Sequence, residues 1–546
     1  MKRRQFIRNI SAGSAAGLTL GGIPLNLLAG NQDLKKLAAA SDNDNVLIFI
    51  QLHGGNDGLN TLIPVKQWEA YYNLRPGIAI NNSGTNGYIE VDPGVDEDKR
   101  VGLHPEMGAF KELYDEGKVA IIQNVGYPEM NLSHFRGRDV VFMGGDESGE
   151  HDYQSGWMGR YLNNIYPGYP EDYPSENMAD PLGIELSGTL SLAFHRENGI
   201  PIGLNVGNPQ QFYELINSVG TDPPIVFPES HAGKELEYIM EFEKKSNQYA
   251  DRLRYVYNAG SNTIDYRDNY PYSSPAKANS LASQLKLIAR LISGGIKTKI
   301  FLCRIGGFDT HGEQVIEGET SKGVHASLLY NMSTAVKDFY DDLNNLGVDN
   351  RVLSLTFTEF GRRASANESL GTDHGTATPV FVFGTSLNSG IYGENPSLAK
   401  EDLPNNNLIY NIDYRRIYTS VIQDWFQGDD QALIDTGFAA WVEDKIEIIS
   451  TTGVPSRSPG KSLTEIELFP NPVEHTLHIR CQLARRGELT YYIVDSSGRK
   501  LKSMVTQGEF GPNRFSMVVD DLPAGTYQLF MVQKQHRISK LFMKLK

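Results

Sequence analysis

Asp57, Asp309, His311, Glu359 and His374 stand where apolar, β-branched runs give way to glycine-rich turns. The segments are NVLIFIQLHGGNDG at 45–58, TKIFLCRIGGFDTHG at 298–312, RVLSLTFTEFGRR at 351–363, and GTDHG at 371–375 leading into PVFVFG. An open parallel sheet collects its active-site groups at the carboxyl ends of its strands, so these distant residues are expected to meet in one crevice. Carboxylate oxygens mixed with imidazole nitrogens suit one or two zinc, manganese or iron ions better than calcium, which takes oxygen ligands. The chemistry expected is metal-assisted hydrolysis.

Each position also has a plainer reading. Asp309 and His311 are an i, i+2 pair, which in extended backbone face one side and suit a shared ion, yet Asp309 also suits a helix or turn cap. Glu359 ends a buried strand, where an acid needs an ion or a cation beside it; Arg362 and Arg363 are near in sequence. Asp57 lies in Asn-Asp-Gly, a strong turn signal, and His53 is either a ligand or a polar strand end. In NLSHFRGR at 131–138, Ser133 is a candidate nucleophile, while His134, Arg136 and Arg138 are candidate contacts to an anionic substrate. Ser133 is equally well placed to cap a helix. There is no P-loop and no Gly-x-Ser-x-Gly elbow.

The elements that must hold these groups alternate between strand and helix patterns from Asn45 to Ser450, which predicts a layered α/β fold. Strands are expected at 45–52, 118–125, 298–305, 351–358 and 379–383. Helices are expected at 105–116, 235–258, 277–293, 324–345 and 413–426, the last capped by Asp413. The stretch 145–235, rich in Tyr, Pro, Asn and Gly, reads as an irregular insertion over the sheet.

The 546 residues are 40% hydrophobic and 21% charged, which is ordinary globular composition. A net charge of −15 argues against a nucleic-acid partner. Cys303 and Cys481 fall in different predicted domains, so no disulfide is expected. Residues 1–40 read as a targeting segment: basic Lys2-Arg3-Arg4, a Gly/Ala/Leu stretch, then Ala38-Ala39-Ala40. The paired arginines resemble a twin-arginine export signal, and no permanent transmembrane span is expected. The domain at 41–450 is followed by a linker at 451–463 and, at 464–546, short alternating strands that predict an immunoglobulin-like β-sandwich.

Two resemblances go beyond these patterns. LFPNP at 468–472, VDSSGR at 494–499, LPAGTY at 522–527 and the terminal KLK resemble the sorting domain of type IX secretion cargo in Bacteroidota. That resemblance implies handling by the type IX machinery, passage through the periplasm, and surface attachment or release. HGGNDGLNTLIP, LHPEM, NLSHFRGRD, GWMGRYL, GGFDTHGEQ, TEFGRR and GTDHG, in this order, are similar to the DUF1501 family, which looks like a branch of the alkaline phosphatase and sulfatase superfamily. The resemblance implies an α/β sandwich with a mostly parallel sheet, divalent metals and a phosphate or sulfate ester substrate. Asp57, Asp309, His311, Glu359 and His374 would be the metal ligands and Ser133 the nucleophile. The chain departs from the phosphatase pattern where Phe360, rather than histidine, follows Glu359. A single ion, a substitute ligand from His53 or His134, or loss of catalysis would each accommodate that change. The second functional class compatible with the sequence is a non-catalytic surface binding protein on the same scaffold.

Overall fold

The computed structural model describes residues 44–148, 153–169, 172–175, 178–188, 190–217, 249–450 and most of 463–545, together with a short ladder pairing Thr19–Leu20 with Ile23–Pro24. Most of the targeting segment, the linker, His151 and the first part of the helix expected at 235–258 lie outside the described residues. Residues 249–259 are helical.

The run VLIFIQLH forms strand β1, Val46–His53, at the centre of a nine-stranded sheet. A strand covered on both faces has no solvent side, which is why this run shows no polar alternation until its end. Its partners are β2 (Val119–Gly126), β3 (Gly183–Leu186), β4 (Gly203–Asn205), β5 (Ile300–Gly306), β6 (Val352–Phe357), β7 (Thr378–Phe383), β8 (Gly390–Tyr392) and β9 (Ile412–Asp413). The order is β8-β2-β7-β6-β1-β5-β3-β4, with β9 also beside β2. All pairings are parallel except those of β7, which runs antiparallel to β6 and β2.

Successive residues of β1 enter two different cores. Val46, Ile48, Ile50 and Leu52 pack with helices Gly108–Asp115, Ser280–Ser293 and Val324–Leu346. Leu47 and Phe49 pack on the other face with helices His134–Met143, Trp157–Ile165 and Tyr414–Ser420. Each fully buried side chain of this kind stabilises the fold by about 1.5–3 kcal/mol, so the strand anchors both layers. The result is an α/β three-layer sandwich with a mostly parallel sheet, the layered α/β fold that the pattern predicts and the sandwich that the family resemblance implies. Asp413 caps its helix as expected, accepting from the Arg415 N–H at 2.9 Å, and the helix continues as a π turn over Val421–Trp425.

One expectation fails. The 145–235 stretch is not only a covering loop: β3 and β4 come from it and extend the sheet beyond β5 in register, with Leu302 opposite Glu185. Its turns and polar residues dilute the apolar signal that marks a longer strand.

The C-terminal segment forms antiparallel sheets of three and four strands around Leu477, Ile479, Tyr491, Ile493, Leu529 and Met531. The LPAGTY motif is tied locally by the Tyr527 hydroxyl, which donates to the Pro523 carbonyl at 2.7 Å. Cys303 and Cys481 are buried free thiols. Among the described residues no helix is long and apolar enough to cross a membrane.

Candidate metal centre

The site forms where β1, β5 and β6 end side by side, with His53 opposite Gly306. Beyond β1 the chain turns through Gly54 at φ +125°, and a Cβ there would lie 2.2 Å from the Asp309 backbone nitrogen. Only glycine lets the two strand ends approach this closely. The Gly54 N–H donates to Glu359 Oε1 at 2.8 Å, which helps to satisfy a carboxylate with no solvent exposure.

Three imidazoles converge on the half-exposed Asp309 carboxylate. Nε2 of His134, His311 and His374 lies 3.4, 3.2 and 3.3 Å from an Asp309 oxygen. Each ring has an acceptor behind its other nitrogen: Glu359 Oε1 is 2.9 Å from His134 Nδ1, the Leu132 carbonyl 2.9 Å from His374 Nδ1, and Asp373 Oδ1 3.5 Å from His311 Nδ1. A carbonyl can only accept, so His374 Nδ1 carries a proton. Burial lowers the His374 pKa and favours the neutral ring, whose Nε2 lone pair then faces a carboxylate oxygen. Two lone pairs at that distance call for a cation or a shared proton between them. Ligand atoms from His134, Asp309 and His374 all lie within 4.8 Å of one another. The donor set, two or three imidazole nitrogens and one carboxylate, fits a zinc-like ion, and acceptors behind the rings are the usual support of histidine ligands.

His374 is placed by a two-residue antiparallel ladder that sets it opposite Arg362. Arg362 is fully buried and donates to the carbonyls of Gly54, Gly55, Phe308 and Thr372, and to Asp309 Oδ1 at 2.7 Å. Burial pushes the Asp309 carboxyl up, but the Arg362 hydrogen bond and charge, joined by His134 and His311, hold it below the ordinary value. Arg362 therefore serves Asp309, whereas Glu359 is satisfied by Gly54 and His134. Phe360 is buried against the rings of His134 and His374, with centroids 4.9 and 4.5 Å away, and forms their apolar wall.

Not all of the expected residues gather here. Asp57 is 1% exposed and bound by Arg75, whose Nη1 donates to both carboxylate oxygens at 2.9 and 2.8 Å, and by Gln314 at 2.6 Å. Those bonds make it an ion-pair partner of Arg75, outside the cluster. Ser133 is exposed at the start of the His134–Met143 helix, and its N–H donates to Asn131. Arg136 donates to Glu147 at 2.6 Å, and Arg138 lies beside Asp139 at 3.2 Å. His53 flanks the cluster, its Nδ1 3.5 Å from Glu359.

Residues 103–436 match the family described as "Protein of unknown function (DUF1501)". The chain belongs to DUF1501. In this DUF1501 protein the cluster residues His134, Asp309, His311, Glu359 and His374 all fall inside the matched span, and Asp57 precedes it. Residues 467–544 match the secretion system C-terminal sorting domain, which indicates export through the type IX system to the cell surface or medium. No curated protein matches the sequence. Solved structures similar to this DUF1501 chain include a sulfatase from Pseudoalteromonas sp., with 12% identity, TM-score 0.28, and coverage of 88% of this chain and 85% of that one. The alkaline phosphatase of the Antarctic bacterium TAB5 shows 10% identity, TM-score 0.26, and 72% and 98% coverage. A putative sulfatase from Bacteroides fragilis shows 11% identity, TM-score 0.28, and 85% and 89% coverage.

Sequence reasoning did not find Arg75 or the carbonyl cradle of Arg362. Arg75 sits in Leu-Arg-Pro-Gly, a loop signal with no strand before it, and its role follows only from where the fold places Asp57.

Proposed function

We propose that this protein is an exported hydrolase of phosphate or sulfate esters, working with a divalent ion held by His134, Asp309 and His374, with His311 beside them. The observation that carries the reading is the convergence of three imidazole Nε2 atoms on one carboxylate, each ring with an acceptor behind it. Bound there, such an ion supplies Lewis-acid polarisation of an ester oxygen. Glu359 orients His134 and Arg362 orients Asp309, so the donor set is fixed before substrate arrives. Ser133, the residue before His134, offers an exposed hydroxyl as nucleophile. Of the two arginines Arg136 and Arg138, either of which the sequence offers for the anionic group of the ester, Arg136 takes that role by exchanging its partner Glu147 for it. The reading includes twin-arginine export on residues 1–40 and transit through the periplasm.

The test is hydrolysis of aryl phosphates and aryl sulfates by the mature chain reconstituted separately with zinc, manganese and iron. Turnover that requires one of these metals and disappears in His134→Ala and His374→Ala supports the reading. Metal binding without turnover on either ester class leaves a non-catalytic binding protein in its place.

A further inference from the structure

Beside the cluster, on the face of the sheet covered by the His134–Met143 helix, lies a cavity of about 230 Å³ lined by Gln51, Arg138, Glu185, Ser191 and Arg304, among others. Its placement follows from strand register. Gln51 pairs with Arg304 across β1 and β5, and Glu185 pairs with Leu302, two residues earlier on the same face. That face is apolar through Leu47, Phe49, Ile300 and Leu302, and turns polar only in these last positions. Arg138 comes from the covering helix at i+4 from His134, so both side chains share one helix face, about 6 Å apart along the axis.

The charges inside are unevenly matched. Arg138 has Asp139 beside it, although at 3.2 to 3.3 Å. Glu185 is buried and its oxygens are already committed: Ser187 Oγ donates to one at 2.6 Å, and the Ser191 N–H and Oγ donate to the other at 2.8 and 2.9 Å. His195 Nδ1 is taken by the Ser191 carbonyl at 2.9 Å. Among the described residues no side chain makes a hydrogen bond or ion pair with the half-buried Arg304 guanidinium. Burial, and then the like charge of Arg138, depress its pKa, whereas Glu359 and Glu185 act on it only through space. A guanidinium held in a roomy polar cavity beside a second one is a receptor for an oxyanion, since its planar fork matches carboxylate, sulfate or phosphate oxygens.

We infer that Arg304 and Arg138 form an anion-binding subsite one helical turn from the metal centre, which takes a second carboxylate, sulfate or phosphate group of the substrate. The inference rests on the proposed hydrolase reading and narrows it: the preferred ester carries a further anionic group on the part that is not transferred. His53, which sits between the cluster and Gln51, with Gln51 Nε2 3.4 Å from its Nδ1, marks the continuity of the two sites.

The experiment is calorimetric titration of sulfate into the full chain as wild type, Arg304→Gln, Arg304→Lys and Asp309→Asn, with unfolding midpoints recorded for each. Wild type and Asp309→Asn are expected to bind, and Arg304→Gln to bind about 10- to 100-fold more weakly, the loss of a charged hydrogen bond. Arg304→Lys is expected to recover part of the difference. Equal binding by wild type and Arg304→Gln, or no binding by wild type, overturns the subsite. Binding lost in Asp309→Asn but kept in Arg304→Gln also overturns it, by placing the sulfate at the metal centre. If Arg304-dependent binding stands while no ester is hydrolysed, the hydrolase reading alone has failed.

Discussion

Replacing Asp57 with Asn separates an ion-pair role from a ligand role. Arg75 is fully buried, and among the described residues its charge is balanced by Asp57 alone; its other bonds go to the Asn60 side chain and to the carbonyls of Arg363 and Ala364. Removing the negative charge leaves a guanidinium uncompensated in the interior, which costs about 3–5 kcal/mol. Against a total stability of about 5–15 kcal/mol this is a large fraction. With a urea slope of about 3 kcal/mol/M, the midpoint of the larger domain should fall by about 1 to 1.7 M. Metal content at neutral pH should not change. The pH dependence has a definite sign. Burial pushes Asp57 up, but the charge of Arg75, assisted by His325 and by hydrogen bonds from Arg75 and Gln314, outweighs it and holds the carboxyl below its ordinary 3.8. The stabilisation is therefore full above 3.8 and is lost as pH falls through the depressed folded-state pKa, so the variant and wild type should converge in acid. Unchanged stability together with lost metal would refute the ion-pair assignment and restore Asp57 as a ligand.

Two further outcomes bear on the centre. Glu359→Gln keeps the hydrogen bonds of a buried amide but weakens the acceptor behind His134, so metal affinity should fall about 10- to 100-fold, measured by competition with a chromogenic chelator. An affinity equal to wild type would show that Glu359 does not tune His134. Ser133→Ala should reduce ester turnover by at least about 100-fold if its hydroxyl is the nucleophile, and turnover at the wild-type rate would remove it from that role.

Much of this fold was legible because long apolar runs signal buried parallel strands wherever they occur. VLIFIQLH, KIFLCRIG and VLSLTF became the adjacent strands β1, β5 and β6, and the rule that polar groups gather at strand ends brought Asp309, Glu359, His311 and His374 together. The short strands β3 and β4 were hidden because only three or four residues of each pair with the sheet, too few to show a period. Pairings between loops were equally hidden. Nothing local tells Asp57 that Arg75 will reach it, or Arg362 that it will serve Asp309 rather than Glu359. From the sequence His134 is a candidate substrate contact and, with His53, a candidate substitute for the histidine missing at Phe360, and nothing local decides between these roles. The fold turns it toward Glu359 and Asp309, in the region where the pattern has Phe360 in place of histidine.

The most direct measurement is elemental analysis of the mature chain, purified without chelator or affinity metal and then reconstituted, beside the Asp309→Asn and His374→Ala variants. Wild type should hold close to one equivalent of zinc, manganese or iron per chain, falling to a small fraction in both variants while their folds persist by circular dichroism. Wild-type protein that binds no metal after reconstitution, or variants that retain it in full, would contradict the central claim that His134, Asp309 and His374 hold an ion.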